Sequence, residues 1–163
     1  MSDIITLVKV RLSYPHLFQR ATFNNVEGKY SATLLIEKGS KNADIITKAV
    51  KALNKNLKAS KNNLCLKDGD EVDSPGYEGH LALRASNNKR PTVIDRDRSP
   101  LTEDDDVIYP GCYVVAKIGL WAQDNKYGKR INCNLHGVQF HSDGDSFTSD
   151  RVTADDFEDL DEF

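Results

Sequence analysis

Cysteine is too scarce and too scattered in this 163-residue chain to make a disulfide framework. Cys65, Cys112 and Cys133 are odd in number and no C-x-x-C pair can be drawn from them, which excludes the redox and zinc-ribbon classes. They read as small buried hydrophobes. Long apolar runs are absent too: none approaches the roughly 18 residues of a membrane span, and Met1-Ser2-Asp3 does not open a signal peptide. The expectation is a soluble, cytoplasmic protein without a membrane partner. The single methionine, at position 1, is taken as the start of a complete chain, with length for one domain and at most an appendage. Motifs of catalysis are equally missing. His16, His80, His136 and His141 show no H-E-x-x-H spacing, and there is no nucleophile elbow, phosphate loop or G-x-G-x-x-G. No catalytic residue, metal or cofactor is therefore expected.

Charge is present in quantity and unevenly placed. Residues 1–142 hold 21 Lys and Arg against 16 Asp and Glu, whereas residues 143–163 hold one Arg against nine acids. A basic body suits a polyanion, and an acidic segment can compete for that surface or recruit partners. Solubility alone is the plainer account of such a segment.

Hydrophobic periodicity organises the rest. Residues 4–12 alternate as a strand, with Ile4, Val8, Val10 and Leu12 on one face and Lys9 and Arg11 on the other. Residues 29–37 make a second strand, reached through the turn-prone residues 24–28. Over 44–59 the period changes: Ile45, Ala49, Leu53 and Leu57 recur every four residues beside Ile46 and Val50, which predicts one amphipathic helix. Residues 62–79, dense in Gly, Pro and Asp, read as a loop. Residues 80–86 alternate again, with Leu81, Leu83 and Ala85 inward and Arg84 outward, and 91–94 reads as a short continuation. In 111–123 the even positions from Cys112 to Ala122 are all apolar, while the odd face carries Tyr113, Lys117 and Trp121. A turn at 124–128 leads to a last strand over 129–141, with Ile131, Cys133 and Leu135 on one side. Five strands and one helix fit a mainly β domain, an OB-type five-stranded Greek-key barrel over residues 1–142. A disordered acidic tail is expected over 143–163.

Two acidic clusters invite a metal. Residues 68–73 resemble a calcium loop only superficially: the glycine comes too early, and Gly79 stands where the bidentate Glu belongs. The run Glu103-Asp104-Asp105-Asp106 suggests the Mg²⁺ site of a nuclease acting through Asp104 or Asp106, although consecutive residues converge poorly on one ion.

The basic and aromatic residues form a more coherent set. Tyr113, Lys117 and Trp121 face away from the apolar stripe of their strand, where a ring has no core to fill. Lys126, Tyr127, Lys129 and Arg130 make a basic turn at its end, and Lys89, Arg90, Arg96 and Arg98 cluster after the strand carrying Arg84. Cations that track phosphates and rings that stack on bases are what single-stranded nucleic acid requires. The alternative is that Trp121 caps a barrel end and the turns serve solubility. The terminal residues repeat the theme. Asp155, Asp156, Phe157, Glu158, Asp159, Leu160, Asp161, Glu162 and Phe163 set rings among carboxylates, an arrangement that mimics a single strand and could occupy the same groove.

Six blocks in fixed order carry a resemblance: residues 10–18 (Val-Arg-Leu-Ser-Tyr-Pro-His-Leu-Phe), 67–70 (Lys-Asp-Gly-Asp), Gly79-His80 leading to Arg84-Ala85-Ser86-Asn87, Arg90-Pro91, 109–113 (Tyr-Pro-Gly-Cys-Tyr) and 135–140 (Leu-His-Gly-Val-Gln-Phe). Together they resemble a phage single-stranded DNA-binding protein family, from about residue 4 to the last residue. The resemblance implies an OB-fold that binds single strands without sequence preference in phage DNA replication and recombination, within the cytoplasm of the bacterial host. It also implies an acidic tail that meets replication proteins such as a polymerase or helicase. Carried over by position, it marks Arg84, Arg90 and Tyr113 as groove residues. Duplex DNA as a second ligand stays open, as does monomer against homodimer. A metal-dependent nuclease and a phage structural or adaptor protein remain the other readings.

Overall fold

In the computed structural model, residues 4–23, 26–74 and 76–145 are described. The tail residues 155–163 lie outside them. Five long strands carry the fold: β1 (Ile4–His16), β4 (Tyr30–Glu37), β6 (His80–Asn87), β8 (Tyr113–Asn125) and β9 (Gly128–Ser142). Their order around the sheet is β6-β4-β1-β8-β9, and a parallel pairing of Ser86 with Asn134 joins β9 back to β6. The sheet is thus a closed five-stranded ring, the expected OB-type barrel. Closure removes the open edges that a flat sheet of this length would expose. Its interior is filled by alternating residues such as Leu7, Leu12, Leu34, Leu83, Val114, Ile118 and Leu135, all essentially inaccessible.

Four short strands decorate the ring. β2 (Thr22–Phe23) and β3 (Val26–Glu27) form a small ribbon between β1 and β4. β5 (Leu66–Asp68) pairs with residues 81–83 of β6, and β7 (Thr92–Ile94) runs parallel to residues 137–139 of β9. The single helix, α1, spans Lys41–Leu57 and packs on β4, β8 and β9. Ser40 starts it by accepting the Ala43 N–H on its hydroxyl at 3.2 Å. Lys58 ends it in the left-handed region (φ 59°), where the Asn54 side chain bonds both the N–H and the carbonyl of Ala59. Among the described residues, no helix is long and apolar enough to cross a membrane.

The structure corrects several sequence expectations. Ile4 and Val8 are exposed, because β1 bulges between Leu7 and Val10: Lys9 takes φ 60° and the face flips, putting Leu7, Val10 and Leu12 inside. The bulge is bridged by Asn42, which bonds the N–H and carbonyl of Val8. A second irregularity, between Ser13 and His16, lets one strand pair with β8 through its first half and β4 through its second. The helix begins three residues earlier than the period suggests, and its buried stripe is Ala43, Ile46, Val50 and Leu57, with Ile45 facing out. Residues 62–79 are not all loop: they contain β5 and a 3-10 turn, Gly69–Glu71. Gly69 belongs there because a Cβ would meet the Tyr77 and His80 carbonyls. β7 does not continue β6 but joins the far side of β9. Ala122 is exposed, since β8 and β9 there run out beyond β1 as a two-stranded hairpin.

Candidate nucleic-acid interface

Alternation along β6 and along the β8–β9 hairpin decides what faces outward. Leu83 and Ala85 fill the barrel, so Arg84 and Ser86 lie on its surface beside Ser31 and Thr33 of β4. Ile131, Cys133 and Leu135 likewise point inward, leaving Arg130, Asn132 and Asn134 outward, paired across the hairpin with Gln123, Trp121 and Gly119. The two surfaces meet where β6 joins β9. They form the floor of a groove made of two adjoining hollows of about 360 and 630 Å³ that share Lys29, Arg84 and Ser86. The ribbon β2–β3 stands on one side, and the turn at 62–65 on the other.

Arg20 fixes that ribbon. Its guanidinium pairs with Glu27 at 3.2 Å, donates to the carbonyls of Gly28 (3.2 Å) and Asn88 (2.6 Å), and lies 5.0 Å from the Tyr30 ring centre. On the floor, Trp121 is held by its indole N–H, which donates to Asn134 Oδ1 at 3.2 Å, and its ring remains 37% exposed. Asn132 donates to Gln123 at 3.0 Å beside it. The turn Lys126-Tyr127 closes the hairpin, with Tyr127 72% exposed and the Lys126 ammonium 5.1 Å from its ring centre.

Among the described residues the groove is cationic: Lys29, Lys67, Arg84 and Arg130 line it, and no carboxylate is among its described lining residues. Lys67 donates to the Asn62 carbonyl, whereas Lys29, Arg84 and Arg130 enter none of the ion pairs among the described residues. Two lysines outside the groove are paired. Lys38 lies 2.6 Å from both Asp68 and Asp70, and Lys61 meets Glu71 at 2.8 Å. Two thiols border the groove and are chemically quiet at neutral pH: burial pushes the Cys65 thiol up to about 11 and raises Cys133 as well. The acidic run gives no convergent site. Asp105 accepts from the N–H and hydroxyl of Thr102, and no group of three metal-ligating side chains occurs among the described residues.

The twelve residues singled out from sequence therefore divide. Arg84, Trp121 and Arg130 share the groove, and Lys126, Tyr127 and Lys129 extend its hairpin wall. Lys89 and Arg90 follow β6 near the ribbon, Arg90 resting 5.6 Å from the Phe18 ring centre. Tyr113 and Lys117 do not join them. Tyr113 stands about 26 Å along β8 from Trp121, covered by Lys9 and Arg11, and Lys117 donates to Thr6 on another wall. Arg96 and Arg98 sit in the loop after β7, beside that same wall. Missed were Lys29, Lys67, Asn62, Asn63, Ser86, Gln123, Asn132 and Asn134. For Ser86, Asn132 and Asn134 the signal was present: each alternates with a buried residue whose inward face was recognised.

OB-folds bind oligonucleotides on the face of their second and third strands, between the loops joining strands one to two and four to five. Here the floor runs from β6, the third long strand, onto β9, and the β2–β3 ribbon and the β8–β9 hairpin are the segments at those two loop positions. Residues 3–163 match the family described as Enterobacter phage Enc34, ssDNA-binding protein. The chain belongs to this Enc34 phage ssDNA-binding protein family. Consistent with that membership, it is 38% identical over 174 residues to protein p50 of Acyrthosiphon pisum secondary endosymbiont phage 1, covering 96% of this chain and 93% of the relative. The Enc34 family barrel also superposes on the single-stranded DNA-binding protein from bacteriophage Enc34 in complex with ssDNA, with TM-score 0.78, 36% identity and 89% of each chain covered. The single-stranded DNA-binding protein gp2.5 of bacteriophage T7 matches with TM-score 0.65 at 13% identity, over 96% of this chain and 93% of that one, a likeness of fold.

Proposed function

We propose that this Enc34-family chain is a non-enzymatic phage protein that binds single-stranded DNA, independently of sequence, in the groove between the β2–β3 ribbon and the β8–β9 hairpin. The observation that carries the reading is a concave surface with four cations and, among the described residues, no carboxylate, with one anchored, part-exposed indole on its floor. Phosphates meet Lys29, Lys67, Arg84 and Arg130, bases stack on Trp121, and Lys126, Tyr127, Lys129 and Arg130 extend the track along the hairpin. Lys89 and Arg90 extend it at the ribbon end. Contacts of this kind address backbone and ring faces, so sequence preference is small. Within this proposal the protein serves phage DNA replication and recombination in the host cytoplasm. Of the acidic segment 143–163, residues 146–163 compete for the groove cations when DNA is absent and recruit replication proteins when released. The test is a titration of labelled oligo(dT) with and without Mg²⁺. Binding without cleavage supports the proposal, Mg²⁺-dependent cleavage supports the nuclease reading, and absence of binding supports the adaptor reading.

A further inference from the structure

The wall of the barrel that holds Lys117 has a hollow of its own. About 530 Å³ in volume, it is lined by Ile4 and Thr6 of β1, Val115 and Lys117 of β8, and Ile94 of β7, among others. Ile4 is 62% exposed there, an unusual place for isoleucine. Cations stand on the rim. Lys117 lies in the hollow, Lys9 and Arg11 lie over Tyr113 two residues before Val115, and the loop Asp95-Arg96-Asp97-Arg98, whose two carboxylates accept the N–H groups of Arg96 and Ser99, is bonded to the hollow through Gln139.

The chain reaches this rim as the described residues end. The Tyr109 hydroxyl donates to Asp143 and accepts from Gly144, and Arg11 donates to the Asp145 carbonyl at 2.6 Å. Gly144 lies against the Tyr113 ring, where a Cβ would come within 3.0 Å of Cε2. Tyr113 is about 7 Å along the strand from Val115. From that point residues 146–163 continue with seven acids against one Arg, and with Phe157, Leu160 and Phe163 spaced by three. Eighteen residues span up to about 60 Å, so reach sets no limit. The hollow beside this rim supplies apolar side chains for the rings, Ile4, Ile94 and Val115, and a cation, Lys117, for the carboxylates.

We infer that this hollow is a docking site for the chain's own residues 146–163, which seat Phe157 or Phe163 against Ile4, Ile94 and Val115 while Lys117, Arg96 and Arg98 meet the intervening carboxylates. The segment then exchanges between this wall and the groove cations, and a partner that recognises the rings must draw it off the wall. The inference does not rest on the groove being the DNA site, and it places the rings elsewhere than simple competition for the groove would.

The test uses the full chain with ¹³C-labelled Ile, Leu and Val methyl groups and a ¹⁵N-labelled indole. The double variant Phe157→Ser, Phe163→Ser is expected to shift the methyl signals of Ile4, Ile94 and Val115 and leave the core methyls in place. Lys117→Glu in the full chain should shift Ile4 and Val115 and, at Ile94, reproduce the double-variant position. Shifts at these methyls support docking whether or not the Trp121 indole responds. Unchanged outer-wall methyls overturn it, and a response confined to Trp121 would seat the segment in the groove. Dilution must not reverse the wild-type positions: if it does, the occupant is a second copy's segment and the inference fails.

Discussion

Replacing Lys29, Arg84 and Arg130 together by Ala removes three exposed groove cations that enter no ion pair among the described residues. Each phosphate contact on a single strand contributes about 0.7 to the slope of log affinity against log salt. Three lost contacts flatten the slope by about 2. Between 50 and 200 mM salt, a fourfold change, wild-type affinity should therefore fall about 18-fold more than that of the triple variant. Because this electrostatic contribution vanishes near 1 M salt, the same arithmetic makes each contact worth about fivefold at 0.1 M, or about 100-fold for all three. Fold stability should hardly move, since exposed unpaired side chains typically change it by about 0.5 kcal/mol or less. Fluorescence anisotropy with labelled oligo(dT) at four salt concentrations reads the slope, and circular dichroism melting reads stability. Lys51→Ala with Lys55→Ala, exposed cations of α1, controls for generic charge. An unchanged slope in the triple variant, or an equal change in the α1 control, refutes the assignment of phosphates to this groove.

Other perturbations report on other parts. Trp121→Ala should weaken oligo(dT) binding by about 1–3 kcal/mol, some 5- to 150-fold, while Trp121→Phe, which keeps a ring but loses the Asn134 bond, should retain most of it. Arg20→Ala should free the β2–β3 ribbon, visible as faster cleavage at Glu27 by a Glu-specific protease, and lower DNA affinity up to about tenfold. Deleting residues 153–163 removes six side-chain carboxylates and should tighten DNA binding most at low salt, since screening acts within about 10 Å at 0.1 M; equal affinities at low salt would contradict competition. The Lys38 hydrogen bonds hold the Asp68 and Asp70 carboxyls below their usual range, so their contribution is full above the ordinary carboxylate value near 4 and is lost as pH falls through the lowered ones. Lys38→Met should therefore flatten the decline of melting temperature below pH 4.

Much of this architecture was legible in the sequence because barrel strands alternate. β6, β8 and β9 carry a period of two against the barrel interior, β4 is rich in strand formers and buried on both faces, and α1 carries a period near four against the barrel core. What escaped was whatever breaks the period. The bulge at Lys9 reverses the face of β1, which no count of alternation can foresee. β5 is three residues long and embedded in turn-forming sequence, so Lys67 was hidden with it. The site was half legible for a related reason. Tyr113, Lys117 and Trp121 were grouped as one face, but β8 is 13 residues long, about 40 Å, and its pairing with β9 shifts register between Lys117 and Ile118, where His136 of β9 is the extra residue. Such a strand passes from one wall to another, taking Trp121 to the groove and leaving Tyr113 and Lys117 behind. The tail residues 155–163, singled out by composition, lie outside the described residues.

Trp121 is the sole tryptophan, so its emission reports on the groove floor alone. Oligo(dT) titrated into the full chain at low salt, with anisotropy of the labelled strand and tryptophan emission followed together, tests the central claim. The account predicts that emission changes in intensity or wavelength and saturates at the same oligonucleotide concentration as the anisotropy. Saturating anisotropy with emission unquenched and unshifted would place the DNA elsewhere on the barrel and contradict it.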